Sequence, residues 1–183
     1  MYNIEQMDRL ADKLSIPAYD EFPDIELYMD QVLDFLSRSH TSLRKGDKLS
    51  SAMVNNYIKA ELLPRAKGKK YSRTHLAHLT IIQRLKHTLS VKDTGTLMSA
   101  VKDERSDKEF YEVFRKMVDE TAGTIAQQVI NSSESLPDTA MRMAVWGYLS
   151  RVASEYILDF ISKEMEEKEE DKEKDKDKEK KKS

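Results

Sequence analysis

Residues 49–72 read LSSAMVNNYIKAELLPRAKGKKYS, and this stretch decides the fold. Val54, Tyr57, Ile58 and Leu62 recur at three and four, the period of a helix with one apolar side. Ser50 or Ser51 supplies an N-cap, and Pro64 disfavours helix at the residue before it. The other side of this helix holds Ser51, Asn55, Asn56 and Lys59. Asparagine is a poor helix former, so two in succession stand out. A basic turn around Gly68 follows directly, carrying Arg65, Lys67, Lys69, Lys70 and, just beyond, Arg73.

The same helical period runs outward in both directions. Upstream, a first helix is expected over about Asn3–Leu14. A second, with Pro23 in its first turn, ends near Ser39 and carries Ile25, Tyr28, Val32, Phe35 and Leu36 inward. The segment HTSLRKGDK then reads as a polar loop. Downstream, Ser72 caps a helix with Leu76, Leu79, Ile82, Leu85 and Leu89 on one face, and a short helix SVKDTGTLMSAV follows. KDERSDKE reads as a charged linker. Beyond it come two long amphipathic helices, about Asp107–Asn131 and Pro137–Met165, joined by SSESLPD. From Glu166 the chain is a glutamate and lysine run that can extend the last helix for a few turns but has nothing apolar to bury. The expected organisation is an N-terminal helical region over 1–103, a C-terminal helical hairpin over 104–165, and a charged low-complexity, disordered tail over 166–183.

Charge is unevenly spread. The chain has 31 basic and 33 acidic residues. Eight of the basic residues fall between Leu62 and Lys92, a stretch with no acidic residue. The remainder therefore carries 23 basic against 33 acidic residues, a net of −10. A basic patch on an acidic body attracts phosphate at one place only.

Composition excludes several chemistries. There is no cysteine, hence no disulfide, thiolate metal site or thiol nucleophile. The N-terminus MYNIEQMDRLADKL is no secretory signal, and no window is apolar enough for a membrane span. A cytoplasmic protein is expected. His75 and His78 stand three apart on a helix, but nothing nearby completes a ligand set, so surface or phosphate-facing histidines are expected and no metal. Gly68 stands alone, without a glycine-rich phosphate loop. Ser150 and Ser154 lack a readable base and acid. Trp146, the sole tryptophan, is better explained by burial than as the lining of a ligand pocket. No enzyme and no cofactor are expected.

The run from Val54 to Thr94 resembles the DNA-binding head of the MerR family of regulators. VNNYIKAELLP is similar to that family's recognition helix and leucine-leucine-proline exit, RAKGKKYS to its basic wing, and HLAHLTIIQRLKHTLSVKD to its next helix. Asn56 and Tyr57 stand where the family has paired aromatics, Glu61 where it has a glycine, and the wing is short. From about Phe22 to Met98 the chain also resembles a family of uncharacterised bacterial proteins known only as a domain of unknown function, through PDIELYMDQVLDFL and the NNYIKAELLP to LSVKD block. The resemblance implies an all-α fold with a MerR-like helix-turn-helix head and a short basic wing. It implies a transcriptional regulator that reads duplex DNA with the helix at about 50–63. Ser51, Asn55, Asn56 and Lys59 would meet bases or nearby phosphates, and Arg65, Lys67, Lys69, Lys70 and Arg73 the backbone. A homodimer joined by the C-terminal helices fits such a role, since one small head rarely makes enough contacts for specific binding. The sequence names no small-molecule effector. The alternative is a helical protein-interaction module that has lost DNA binding.

Overall fold

A computed structural model describes residues 14–39 and 48–180. The expected first helix and the HTSLRKGDK loop, apart from their last positions, lie outside the described residues. The described chain is mostly helical. A 3₁₀ turn at Tyr19–Glu21 precedes α1 (Met29–Ser39), α2 (Ser51–Lys59), α3 (Arg73–Leu85), α4 (Val91–Lys102), α5 (Asp107–Ile130) and α6 (Leu136–Lys180).

The second helix starts later than the sequence suggests. Leu27–Tyr28 is a short strand, β1, that pairs antiparallel with β2 at Lys70–Tyr71. The Tyr28 amide donates to Gln31 Oε1 at 2.9 Å, so Gln31 closes the start of α1 after the strand. Ile25 (70% exposed) and Tyr28 (52%) therefore point to solvent rather than inward, while Val32 and Leu36 are fully buried as expected.

α3 is the central element. Every residue from His75 to Gln83 is buried, so this helix is enclosed on all sides rather than along one stripe. Leu76, Leu79, Ile81 and Ile82 pack with Phe22, Val32, Leu36, Val54 and Tyr57 in one core cluster. Each such side chain contributes ~1.5–3 kcal/mol through burial. Phe110 and Tyr111 of α5 belong to the same cluster, so the core crosses the expected boundary at 103/104.

The expected linker shortens to a tight corner. Ser106 Oγ accepts from the Glu109 amide, and the Ser106 amide donates to Glu109 Oε2 at 2.9 Å, a reciprocal cap that starts α5. Asp20 pairs with Lys108, the Tyr19 amide donates to Glu112, and the Tyr111 hydroxyl donates to the Pro17 carbonyl. These contacts tie the start of the described chain to α5.

The tail follows the helical alternative: α6 continues past Glu166 to Lys180, rather than giving way there to a disordered run. Interleaved glutamate and lysine support a solvated helix without any core. α6 packs along α4, and α4 in turn abuts the exit of α2: a Cβ on Gly95 would lie 3.0 Å from Leu62 Cδ1. Trp146 is 40% exposed, not buried, and lines an open groove of about 610 Å³ between α5 and α6.

Candidate nucleic-acid interface

α2 is seated and capped as its sequence requires. Ser50 Oγ accepts from the Met53 amide at 3.2 Å. Val54 and Tyr57 are buried in the core and Ile58 packs against it. Ser51, Asn55, Asn56 and Lys59 are all exposed, so the structure brings these four onto the outer side of one helix. The helix ends at Lys59, one turn before Pro64. The Leu62 amide donates to the Tyr57 carbonyl and the Glu61 amide to the Ile58 carbonyl, which is a Schellman closure. Glu61 consequently sits at φ 58°, in the left-handed region that glycine prefers. Leu62 and Leu63 then drop into the core.

The basic turn is a miniature hairpin. Lys67 and Lys70 bridge across Gly68 (φ 56°) and Lys69 (φ 66°), and two successive positive φ values make a type I′ turn. Tyr71 is buried and faces Leu27 across the strand pair, anchoring the hairpin to β1. Arg65, Lys67 and Lys69 are exposed and make no ion pair among the described residues. Lys70 is half-buried, with its ammonium 5.7 Å from the centroid of the Tyr28 ring.

Arg73 stands apart from this group. Its guanidinium lies over the Tyr19 ring and reaches Asp24 at 3.2 Å and Asp20 at 3.7 Å, with only a quarter of the side chain exposed. The structure thus engages Arg73 with acidic partners, whereas Arg65, Lys67 and Lys69 project outward. Arg84, another member of the basic stretch, turns inward and donates to the Ser15 carbonyl.

The two histidines are core residues, against the expectation of surface positions. His75 accepts from the Ser72 amide at 3.0 Å and so helps to start α3. Burial pulls its pKa down, opposed by the nearby backbone of Arg65 and Pro64. His78 is 5% exposed, beside Phe110, and its Nε2 lies 3.4 Å from Asp107. Burial lowers its pKa as well, with Asp107 opposing and Lys102 assisting. Burial also acts to raise the Asp107 carboxyl, but the hydrogen bond and charge of Lys102 overcome this and hold it below its usual range. Among the described residues no three of His, Cys, Asp and Glu gather as a metal set.

Tyr28 is a residue of this surface that the helical period placed inward. Its aromatic face lies beside the hairpin because β1 pairs with β2, a relationship between residues some forty positions apart that no local pattern announces. The sequence comparisons add one assignment. The curated proteins and solved structures searched give no match. Residues 17–117, more than half of the chain, match a family of unknown activity, and that stretch runs from the 3₁₀ turn through α4 into α5. The chain belongs to the family described as a domain of unknown function, DUF1836.

Proposed function

We propose that this protein is a cytoplasmic DNA-binding transcriptional regulator whose head is MerR-like, with α2 as the recognition helix and the Lys67–Lys70 hairpin as a short wing. One observation carries the reading. Ser51, Asn55, Asn56 and Lys59 project from a helix whose opposite side is sealed into the core, close in sequence to outward Arg65, Lys67 and Lys69. Side chains of the first kind fit base edges in the major groove, and those of the second fit phosphates. Asparagine pairs with adenine through two hydrogen bonds, so Asn55 is the first candidate for sequence discrimination.

A second reading has one observation in its favour. Asp20 and Asp24 neutralise Arg73, which thins the basic patch and suits a module that recognises protein. Salt titration separates the two. With five to eight phosphate contacts, the slope of log affinity against log salt for duplex DNA is roughly −4 to −7. Fragments recovered from the host genome and measured by fluorescence anisotropy supply the test. A flat response, or no binding at low salt, removes the DNA reading.

A further inference from the structure

The most conspicuous surface left uncovered lies on α6. Met141, Val145, Tyr148, Val152, Tyr156 and Phe160 are between 43% and 67% exposed, and Leu149 lies among them at 56%. At 100° per residue they fall within a sector of about 120°, and residues 141–160 extend ~29 Å along the helix axis. Leu158, a buried residue of this helix, lies on roughly the opposite side. The stripe therefore faces away from the body while α6 rests on α4. Taking ~150–250 Å² for each large side chain, the exposed part amounts to roughly 700 Å². That exceeds the ~300–600 Å² of the largest apolar patch on a typical monomer, and it approaches the ~800 Å² per partner of a standard interface.

We infer that this stripe is covered by the same stripe of a second copy, with the two α6 helices antiparallel. Charge placement selects the direction. Asp159 lies within the angular sector of the stripe, near its C-terminal end beside Phe160, and is exposed. Parallel, in-register pairing sets Asp159 against its own copy, and likewise the acidic positions Glu164, Glu166 and Glu167. Antiparallel pairing about a centre between residues 150 and 151 brings Asp159 alongside the partner's Arg142 and Asp138 alongside the partner's Lys163. The same register seats Val145 on the partner's Tyr156 and Leu149 on the partner's Val152, so the apolar pattern and the charge pattern agree on one alignment. A bilayer is a poor occupant. Membrane-surface helices carry lysine and arginine beside the apolar face, whereas this one places aspartate within it and glutamate beyond it.

The pairing is independent of any DNA contact, so it is tested on the full-length protein without DNA. Sedimentation at about 10 µM should give twice the 21.2 kDa chain mass. Val152→Glu should raise the dissociation constant ~100-fold or more, because it buries two related charges at the centre. Circular dichroism of this variant should match the parent, since the position is exposed within one chain. The absence of cysteine makes direction directly readable by oxidative cross-linking. Met141→Cys together with Phe160→Cys should give covalent dimers, and Met141→Cys alone should not, because its copies are ~29 Å apart along the axis. A parent that sediments as a monomer overturns the dimer. Efficient cross-linking of the single Met141→Cys variant overturns the antiparallel arrangement.

Discussion

The ammonium of Lys70 sits 5.7 Å from the centroid of the Tyr28 ring, and the two residues are register partners across β1 and β2. This pair joins the approach to α1 to the basic hairpin at the surface, above the buried contact of Leu27 with Tyr71. Tyr28→Ala should lower unfolding stability by ~0.5–1 kcal/mol, the value of an exposed cation–π contact. Tyr28→Phe, which keeps the ring, should remain near the parent. Urea denaturation of the two variants decides it, and equal losses would show that the ring face has no role.

Glu61 occupies a left-handed backbone conformation at the Schellman closure of α2. A side chain there costs roughly 1–2 kcal/mol relative to an unstrained position, partly offset by the greater freedom glycine has when unfolded. Glu61→Gly should therefore stabilise the protein by ~0.5–1 kcal/mol, and Glu61→Val should destabilise it. Thermal melts at constant pH read both signs. A destabilised glycine variant contradicts the strain assigned to this position.

Stability should fall as pH drops below neutrality. Both buried histidines have folded pKa values below the ordinary 6.5. Above that value neither state binds the proton. As pH falls through it, the unfolded chain takes up protons while the folded histidines do not, so the unfolded state gains. Asp107 acts in a lower window: its contribution is present above the ordinary carboxylate pKa and is lost as pH falls through its depressed folded value. Replacing His75 and His78 with glutamine should flatten stability between pH 7 and pH 5. Urea midpoints at pH 7, 6 and 5 give the slopes, and identical slopes for parent and variant would sink the assignment.

Reading bases and gripping the backbone are separable at Asn55 and Lys69. Asn55→Ala should cost ~1–3 kcal/mol on a preferred sequence and flatten discrimination at one or two base positions. Lys69→Ala should weaken preferred and scrambled DNA alike and make the salt slope shallower by about one. Both side chains are exposed, so both variants should melt with the parent. If the asparagine change weakens both DNAs equally, Asn55 reads no base.

The helical period revealed what periodicity can reveal. Val54 with Tyr57, and Leu76 with Leu79 and Ile82, face the core because spacing at three and four is set by the helix itself. Ser50 and Ser72 stand at helix N-caps because a serine ahead of an apolar run is a local signal. The misses are tertiary. β1 is two residues long and extended because Lys70–Tyr71 lies beside it. His75 and His78 are buried because α3 is surrounded, for which the neighbouring Ala77 and Ile81 were the available hint: they widen the apolar stripe past one face. Arg73 turns to Asp20 and Asp24, which lie some fifty residues earlier. Of the candidate interface, the exposed side of α2 was legible, and the inward engagement of Arg73 was not.

α4 is a shared layer, touching Leu62 at Gly95 on one side and α6 on the other. Its amides are therefore protected by two neighbours at once, and the order in which protons exchange is constrained. Detachment of α6 uncovers one side of α4 yet leaves the Leu62 side closed, so α6 should exchange first and α4 later. The exit of α2, held by that same seam, should not exchange ahead of α4. Deuterium uptake along the chain becomes a record of which layer lets go before which.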